Sequence, residues 1–120
     1  MNEETVRFAL FAEVFAALAH PKRLEIIHFL GQEQHSAGEL AERTGLSKAN
    51  LSQHLNVLKA RGLVHCEKCG TFCHYRLTSP KVLETCEIVR ELILDQMQIT
   101  SKTQQTALAA VMPIRKSRTP

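Results

Sequence analysis

The chain has 120 residues, the size of one domain. Its hydrophobic fraction of 44% and charged fraction of 22% are typical of a folded globular protein and exclude disorder, collagen and coiled-coil arrays. The formal net charge is +3. No apolar run approaches the roughly 20 residues of a membrane span, and the acidic first residues are unlike a secretory signal. We therefore expect a cytoplasmic protein without membrane contact, and a domain this small is not expected to be an enzyme.

Helical periodicity dominates the first 30 residues. The apolar residues of 4–18 form two stripes at helical spacing. A helix that is apolar on two faces has to be covered on two sides, so we expect one side to meet a partner chain. Pro21 suits the first turn of a second helix, which is predicted to run to about Leu30 and to end at Gly31.

Two short capped helices come next. The spacing of Ser36 and Glu39 predicts a capping box at the first, which should end at Gly45, and Ser47 is expected to cap the second, predicted over 48–61. Two such helices joined by a short turn containing glycine predict a helix-turn-helix. The inward residues of the second helix are Leu51, Leu55 and Leu58.

Residues 63–77 change to a strand pattern around Cys69-Gly70, which predicts a β-hairpin, or wing. If those two residues form the turn, Cys66 faces Cys73 directly and His65 faces His74. Cys66 and Cys73 then share a face with Val64 and Tyr75, and Cys69 at the tip can curl over that face.

A last helix, again with two apolar stripes, is predicted from Pro80 to about Met97. The predicted fold is mainly α with a β-hairpin wing: a winged helix-turn-helix of order α-α-α-α-β-β-α that dimerises through its first and last helices. We assign residues 1–100 to this domain and residues 101–120 to a C-terminal extension with a basic tail.

The positive charge is concentrated in the predicted helix-turn-helix and wing. Residues 43–76 carry six basic side chains and one acidic side chain, a net charge of +5. A basic stripe on a nearly neutral domain is typical of a protein that binds a polyanion.

The side chains expected to contact DNA follow from the inward leucines. The opposite face of that helix carries Ala49, Ser52, Gln53 and Asn56, with Asn50 and Lys48 at its exposed N-terminal end. Asn and Gln can read adenine and a small Ala can meet a thymine methyl group, whereas amides beside the capping Ser47 can hold a phosphate. His54, on the flank of the buried stripe, is assigned no ligand role. The candidate phosphate contacts are Lys48, Lys59, Lys68 and Arg76.

Several motifs together resemble the arsenic-repressor (ArsR/SmtB) family over about residues 10–95. The opening signature is FAALAHPKRLEII, residues 15–27. The resemblance continues through Gly38-Glu39-Leu40-Ala41, Leu46-Ser47, Leu51-Ser52-Gln53-His54-Leu55, Leu58, Gly62-Leu63-Val64 and Tyr75-Arg76-Leu77.

The resemblance implies a homodimeric winged-helix repressor that binds double-stranded DNA. In that family the second helix of the motif reads the major groove, the wing touches the flanking backbone or minor groove, and an inducer, often a metal ion, weakens DNA binding. A dimer presents two recognition helices about 34 Å apart, so the operator is expected to be an inverted repeat. Two common metal sites of the family are missing: Ser36-Ala37-Gly38 replaces a Cys-x-Cys pair, and the last helix lacks His ligands.

The wing cysteines Cys66, Cys69 and Cys73 are the candidate sensor site, spaced C-x2-C-x3-C. Three thiolates suit a soft ion: Zn, Cd, Pb, Cu(I), Hg, As(III) or Sb(III). Alternatively, basic neighbours lower a thiol pKa and favour oxidation or persulfide formation. A direct 66–73 disulfide is not ideal, since side chains of that hydrogen-bonded pair diverge, and the alternative is a disulfide of Cys69 with either neighbour or across subunits. Candidates for a fourth ligand are His65, His74 and Cys86.

The sequence therefore supports a repressor whose operator binding is relieved by a soft metal, a metalloid, reactive sulfur or an oxidant acting on these cysteines, with no cofactor required. The alternative is a constitutive DNA-binding regulator with inert cysteines, because Cys73 and Cys86 can also pack as small hydrophobic residues. A thiol oxidoreductase using Cys66-x-x-Cys69 is disfavoured, because the pair lies in a hairpin rather than in a βαβ unit.

Overall fold

The computed structural model describes residues 2–97, 106–107 and 109–110, and the chain divides into two compact units, residues 1–79 and 80–120. The predicted fold class is confirmed, with one short additional strand. Most of the predicted extension, residues 101–120, lies outside the described residues. The elements of the first unit are α1 (Glu3–Leu18), α2 (Pro21–Leu30), β1 (His35–Ser36), α3 (Ala37–Thr44), α4 (Lys48–Ala60), β2 (Val64–Cys69) and β3 (Phe72–Leu77), and the second unit contains α5 (Pro80–Met97).

Helix α1 is mostly exposed in the single chain. It begins after Asn2, whose side chain accepts a hydrogen bond of 2.8 Å from the amide of Thr5. Its C-terminal end is buried, but Phe8, Phe11 and Phe15 are 51–60% exposed. Of the two apolar stripes expected from the sequence, the phenylalanine stripe is thus uncovered, and Val6 and Leu10 of the other stripe are exposed as well, at 42% and 56%.

The helix-turn-helix forms as predicted. The Ser36 hydroxyl accepts from the Glu39 amide at 3.2 Å, and the Glu39 carboxylate accepts from the Ser36 amide at 2.8 Å, which completes the capping box. Gly45 ends α3 in the left-handed conformation, with φ of +74°, a conformation that glycine adopts without the Cβ clash of other residues. Ser47 caps α4 through the amide of Asn50. The leucines predicted to face inward, Leu51, Leu55 and Leu58, are at most 2% exposed.

The wing forms over the predicted residues, but its predicted register is wrong by two residues. The turn consists of Gly70 and Thr71, and Cys69 is the last residue of β2. Gly70 has φ of +65°, so it supplies the positive φ at the first turn position rather than the second. The facing pairs are therefore Cys66–Tyr75, Lys68–Cys73, Cys69–Phe72, Glu67–His74 and His65–Arg76, in place of the predicted Cys66–Cys73 and His65–His74.

A two-residue strand that the sequence did not predict completes the sheet. β1 pairs antiparallel with β3, with His35 opposite Tyr75 and Ser36 opposite His74, and gives the order β1-β3-β2. Ser36 thus belongs to the sheet and also caps α3. His35 is 1% exposed.

In the second unit, α5 carries several exposed apolar side chains. No helix in the described part of the chain is long and apolar enough to span a bilayer. The exposed apolar residues of α5 are Ile88, Val89, Leu92, Ile93 and Met97, at 38–52%.

Candidate nucleic-acid interface

Helix α4 presents one buried face and one polar exposed face. Because its three leucines are buried, helical geometry points the intervening residues outward. Every residue that the sequence assigned to a DNA contact is exposed, and the contacts themselves stay a prediction. These residues are Ser47, Lys48, Ala49, Asn50, Ser52, Gln53, Asn56 and Lys59 on α4 and its cap, and Lys68 and Arg76 on the wing.

The first turn of α4 lies beside the wing and the start of α3. Lys48, Leu51 and Ser52 line a groove of about 330 Å³ together with Gly38 of α3 and Tyr75 of β3. The start of the candidate recognition helix and the central strand of the sheet therefore share one surface depression.

The two basic residues of the wing lie on opposite faces of the hairpin. Lys68 faces Cys73, whereas Arg76 is on the other face, where its Nε lies 3.6 Å from Oε2 of Glu67. Both side chains are exposed. An exposed ion pair of this kind contributes little to stability, so a DNA phosphate can compete with Glu67 for the Arg76 guanidinium.

Cys66 and Cys73 form a disulfide in this structure, with Cα atoms 5.9 Å apart. The expectation that a direct 66–73 disulfide is disfavoured is thus wrong, because it rested on the wrong register. In the observed register the two residues are diagonal neighbours on one face, and their Cα separation is within the usual range for disulfides. Val64 and Tyr75 share this face by strand alternation, as predicted.

Cys69 is not brought together with the other two wing cysteines. It is exposed, is not bonded to another cysteine and lies opposite Phe72 on the other face of the hairpin. The curled arrangement expected for Cys69 depended on its being a turn residue, whereas it is a strand residue whose side chain follows the alternation of β2.

Among the described residues, no three His, Cys, Asp or Glu side chains are grouped so that they could hold a metal ion. Of the candidate fourth ligands, His65 and His74 lie on the face of the wing away from Cys66 and Cys73. Cys86 lies in the second unit, where burial and the neighbouring Glu87 carboxylate raise its pKa. A thiol that stays protonated is a poor metal ligand and nucleophile. A metal or metalloid inducer stays a prediction.

His54, to which the sequence assigned no ligand role, takes part in a cluster that joins three helices. Arg23 of α2 donates from Nη1 to Nδ1 of His54 at 3.2 Å and from Nε to the carbonyl of Ala17 at the end of α1. The ring of His54 lies 4.4 Å from that of His20, whose Nδ1 accepts from the amide of Lys22 and so caps α2. No local spacing signals this contact, because Arg23 and His54 are 31 residues apart.

The cluster favours a neutral His54. Burial lowers its pKa, and the neighbouring His20 and Arg23 lower it further. Since Nδ1 accepts the hydrogen bond from Arg23, a proton on that nitrogen would replace an attraction by a repulsion. Protonation of His54 is therefore coupled to the contact between α2 and α4.

Comparison with known protein families identifies the same helix-turn-helix. Residues 18–67 match a family described as helix-turn-helix domain. The HTH-type transcriptional regulator Rv0081 of Mycobacterium tuberculosis is 36% identical over 87 residues, which are 72% of this chain and 76% of that protein. Its crystal structure has a TM-score of 0.72 at 34% identity and covers 76% of this chain and 92% of that one.

Two further solved structures are similar. Reduced HlyU from Vibrio cholerae has a TM-score of 0.66 at 34% identity, covering 77% of this chain and 97% of HlyU. The homodimeric winged helix-turn-helix DNA-binding domain Mb0332 of Mycobacterium bovis has a TM-score of 0.75 at 25% identity, covering 84% of this chain and 94% of Mb0332. The shared architecture thus includes a wing as well as the helix-turn-helix.

Proposed function

Because the chain belongs to the ArsR/SmtB family of DNA-binding transcriptional regulators, which are not enzymes, we propose that it is a homodimeric repressor whose operator affinity falls when Cys66 and Cys73 are oxidised to a disulfide. The observation that carries the redox part is the position of this pair. Both cysteines lie within a wing that itself belongs to the candidate DNA surface. No signal has to travel from a distant site.

In this proposal α4 reads base edges in the major groove. Its exposed face offers the amides of Asn50, Gln53 and Asn56 for bidentate contacts to adenine and the methyl group of Ala49 for thymine. Lys48, Lys59, Lys68 and Arg76 contribute affinity through phosphates. When these four side chains bind phosphates, they displace counterions from the DNA. We therefore expect the affinity to fall markedly as the salt concentration rises.

A second copy of the chain would cover the exposed apolar face of α1. Phe8 and Phe11 stack edge to face with their ring centroids 6.0 Å apart, and both rings are more than half exposed. Exposed aromatic rings that lie side by side on one helix face favour association with another protein surface. The homodimeric state of Mb0332 supports a dimer here, with one recognition helix for each half of an inverted-repeat operator.

The two thiols supply two electrons and two protons to an oxidant. An external disulfide, for example, is reduced to two thiols while the Cys66–Cys73 bond forms by thiol–disulfide exchange. The dithiol is the resting form in a reducing compartment, so we assign it the operator-bound state. In the disulfide form, the bond ties β2 to β3 next to Tyr75, which lines the groove it shares with Lys48 of α4.

The test is fluorescence anisotropy with a duplex selected from a random pool by the fully reduced protein. We expect oxidation with diamide or polysulfide to raise the Kd by roughly tenfold or more, the range of typical allosteric coupling. The double variant Cys66→Ser, Cys73→Ser should keep the reduced affinity and lose the response. Cys69→Ser is the matched control and should respond as the wild type does.

Each other outcome would contradict a defined part of the proposal. An unchanged Kd on oxidation, with the disulfide confirmed by mass, would identify a constitutive regulator with inert cysteines. A response only to Zn²⁺, Cd²⁺ or arsenite, added to the reduced protein, would replace the redox mechanism by a metal or metalloid inducer. A response that needs Cys69 would contradict the assignment of the sensing pair.

A further inference from the structure

The most exposed large apolar side chain in the described part of the chain lies at the tip of the wing. Phe72 is 67% exposed. It is the first residue of β3 and follows the Gly70-Thr71 turn directly. The positive φ of Gly70 closes this turn in two residues, so the aromatic ring stands at the end of a narrow, hydrogen-bonded hairpin.

Phe72 does not belong to the protein core. Its cross-strand partner is Cys69, and strand alternation places it on the face of Glu67 and His74, opposite the face of Tyr75. The side chains around it are thus polar or a thiol. A single ring in such surroundings does not form the extended apolar patch of a protein-docking surface.

The charge around the wing tip favours a polyanion. Exposed Lys68 lies one residue before Cys69 on β2, and exposed Arg76 shares the face of Phe72. An apolar ring at the tip of a projecting hairpin, with one basic side chain on each face of that hairpin, matches the way in which DNA-bending proteins insert a wedge, and the exposed pair of Arg76 with Glu67 leaves the guanidinium open to a phosphate. Such wedges enter from the minor groove, separate two stacked base pairs and kink the duplex.

We propose that Phe72 enters the minor groove beside the recognition site and inserts between two base pairs, so that the wing bends the operator. This inference rests on the proposed DNA-binding function but not on the redox response. The step that opens should be one that is easily unstacked, such as TA or CA/TG, at the place where the wing tip meets the duplex. The wing then contributes specificity through the deformability of DNA, without hydrogen bonds to bases.

The experiment compares wild type, Phe72→Ala and Phe72→Leu, all fully reduced, on the selected duplex. Energy transfer between end-attached dyes reports the bend, and 2-aminopurine placed at successive steps under the wing reports unstacking. We expect wild type and Phe72→Leu to bend the duplex and to brighten 2-aminopurine at one step in each half of the operator. Phe72→Ala should lose both signals and bind on the order of tenfold more weakly, with an unchanged salt dependence because it removes no phosphate contact.

The controls separate this inference from the function on which it rests. A thermal melt and sedimentation velocity should be the same for all three proteins, because an exposed ring contributes little to folding. If Phe72→Ala bends DNA and brightens 2-aminopurine as the wild type does, the wedge is refuted while DNA binding stands. If it instead dissociates the dimer, Phe72 belongs to a protein interface and the wedge is refuted. Absence of operator binding by the wild type would refute both proposals.

Discussion

His54 shows how a residue on the flank of a buried helical stripe can make the stability of the fold depend on pH. Its ring accepts a hydrogen bond from Arg23 and lies against His20, and its pKa is lowered by burial and by these two neighbours. The unfolded chain protonates His54 near its ordinary pKa of about 6.5. The folded chain does so only at lower pH, so the unfolded state binds the proton more tightly.

We therefore expect the free energy of unfolding to be insensitive to His54 above about pH 6.5 and to decrease as the pH falls from there through the lowered pKa. His54→Asn should flatten part of this dependence, since the amide oxygen can accept from Arg23 without titrating. Urea midpoints measured at several pH values between about 8 and 5 check this.

Some pH dependence should persist in His54→Asn, because burial also lowers the pKa of His28. His28→Asn is accordingly the matched control and should leave the His54 contribution in place. If His54→Asn titrates as steeply as the wild type over this range, the coupling through Arg23 is contradicted.

Residue-level prediction from sequence succeeded where the reason was local. The exposure of Gln53 and Asn56 follows from buried leucines that are spaced four and three residues apart on the same helix, and the capping role of Ser36 follows from Glu39. The contact between Arg23 and His54 depends on how α2 packs against α4, and no pattern within either helix encodes it.

At the level of elements, substitution of glycine by alanine should change the free energy of unfolding in opposite directions in α3 and in the wing turn. Gly70 has φ of +65°, so a Cβ there meets open space but strains the backbone. We expect Gly70→Ala to lower the free energy of unfolding by about 1–2 kcal/mol. Gly38 lies in α3 with a helical backbone, and an added Cβ would be 3.9 Å from the Ser36 hydroxyl, an ordinary contact.

Gly38→Ala is therefore the matched control and should raise the free energy of unfolding, by about 0.5–1 kcal/mol. Urea unfolding of the reduced proteins at one fixed protomer concentration measures both changes. A Gly70→Ala protein as stable as Gly38→Ala would show that the turn adopts another conformation in solution.

The wing was predicted in the right place but with the wrong strand register, because its turn residues do not select one turn type. Glycine is favourable at the first position of one type of two-residue turn and at the second position of another, so Gly70 alone does not select between them. The observed register differs from the predicted one by two residues, so Cys66, Cys73 and Tyr75 stay on one face, but the two cysteines are diagonal neighbours rather than facing partners. β1 was not predicted because two residues carry no recognisable alternation.

At the scale of the whole molecule, the exposed aromatic face of α1 predicts that operator binding depends on assembly. Phe8→Glu with Phe15→Glu should give a monomer, because each substitution would place a carboxylate in an apolar interface. Without the second recognition helix, affinity for an inverted repeat should fall by about a hundredfold or more. Sedimentation velocity and anisotropy measure the two effects.

A charge-matched control uses the exposed segment before β1. Gln32→Glu with Gln34→Glu adds the same two carboxylates at exposed positions and should leave the molecule dimeric, with only a modest loss of affinity from the added negative charge. If the α1 variant stays a dimer, the partner chain does not cover the phenylalanine face and dimerisation uses other residues.

Ser36 belongs to two structures at once: it pairs with His74 in the sheet and caps α3. Fraying of the first turn of α3 therefore removes the acceptor for the Glu39 amide and also loosens an edge of the central strand. Amide hydrogens of α3 and β3 should become accessible to solvent deuterium in one concerted opening, with similar protection. Helix α3, which supports the recognition helix, and β3, which carries Cys73, would then be a single cooperative unit. Oxidation of Cys66 and Cys73 would therefore change the hydrogen-exchange rates of α3.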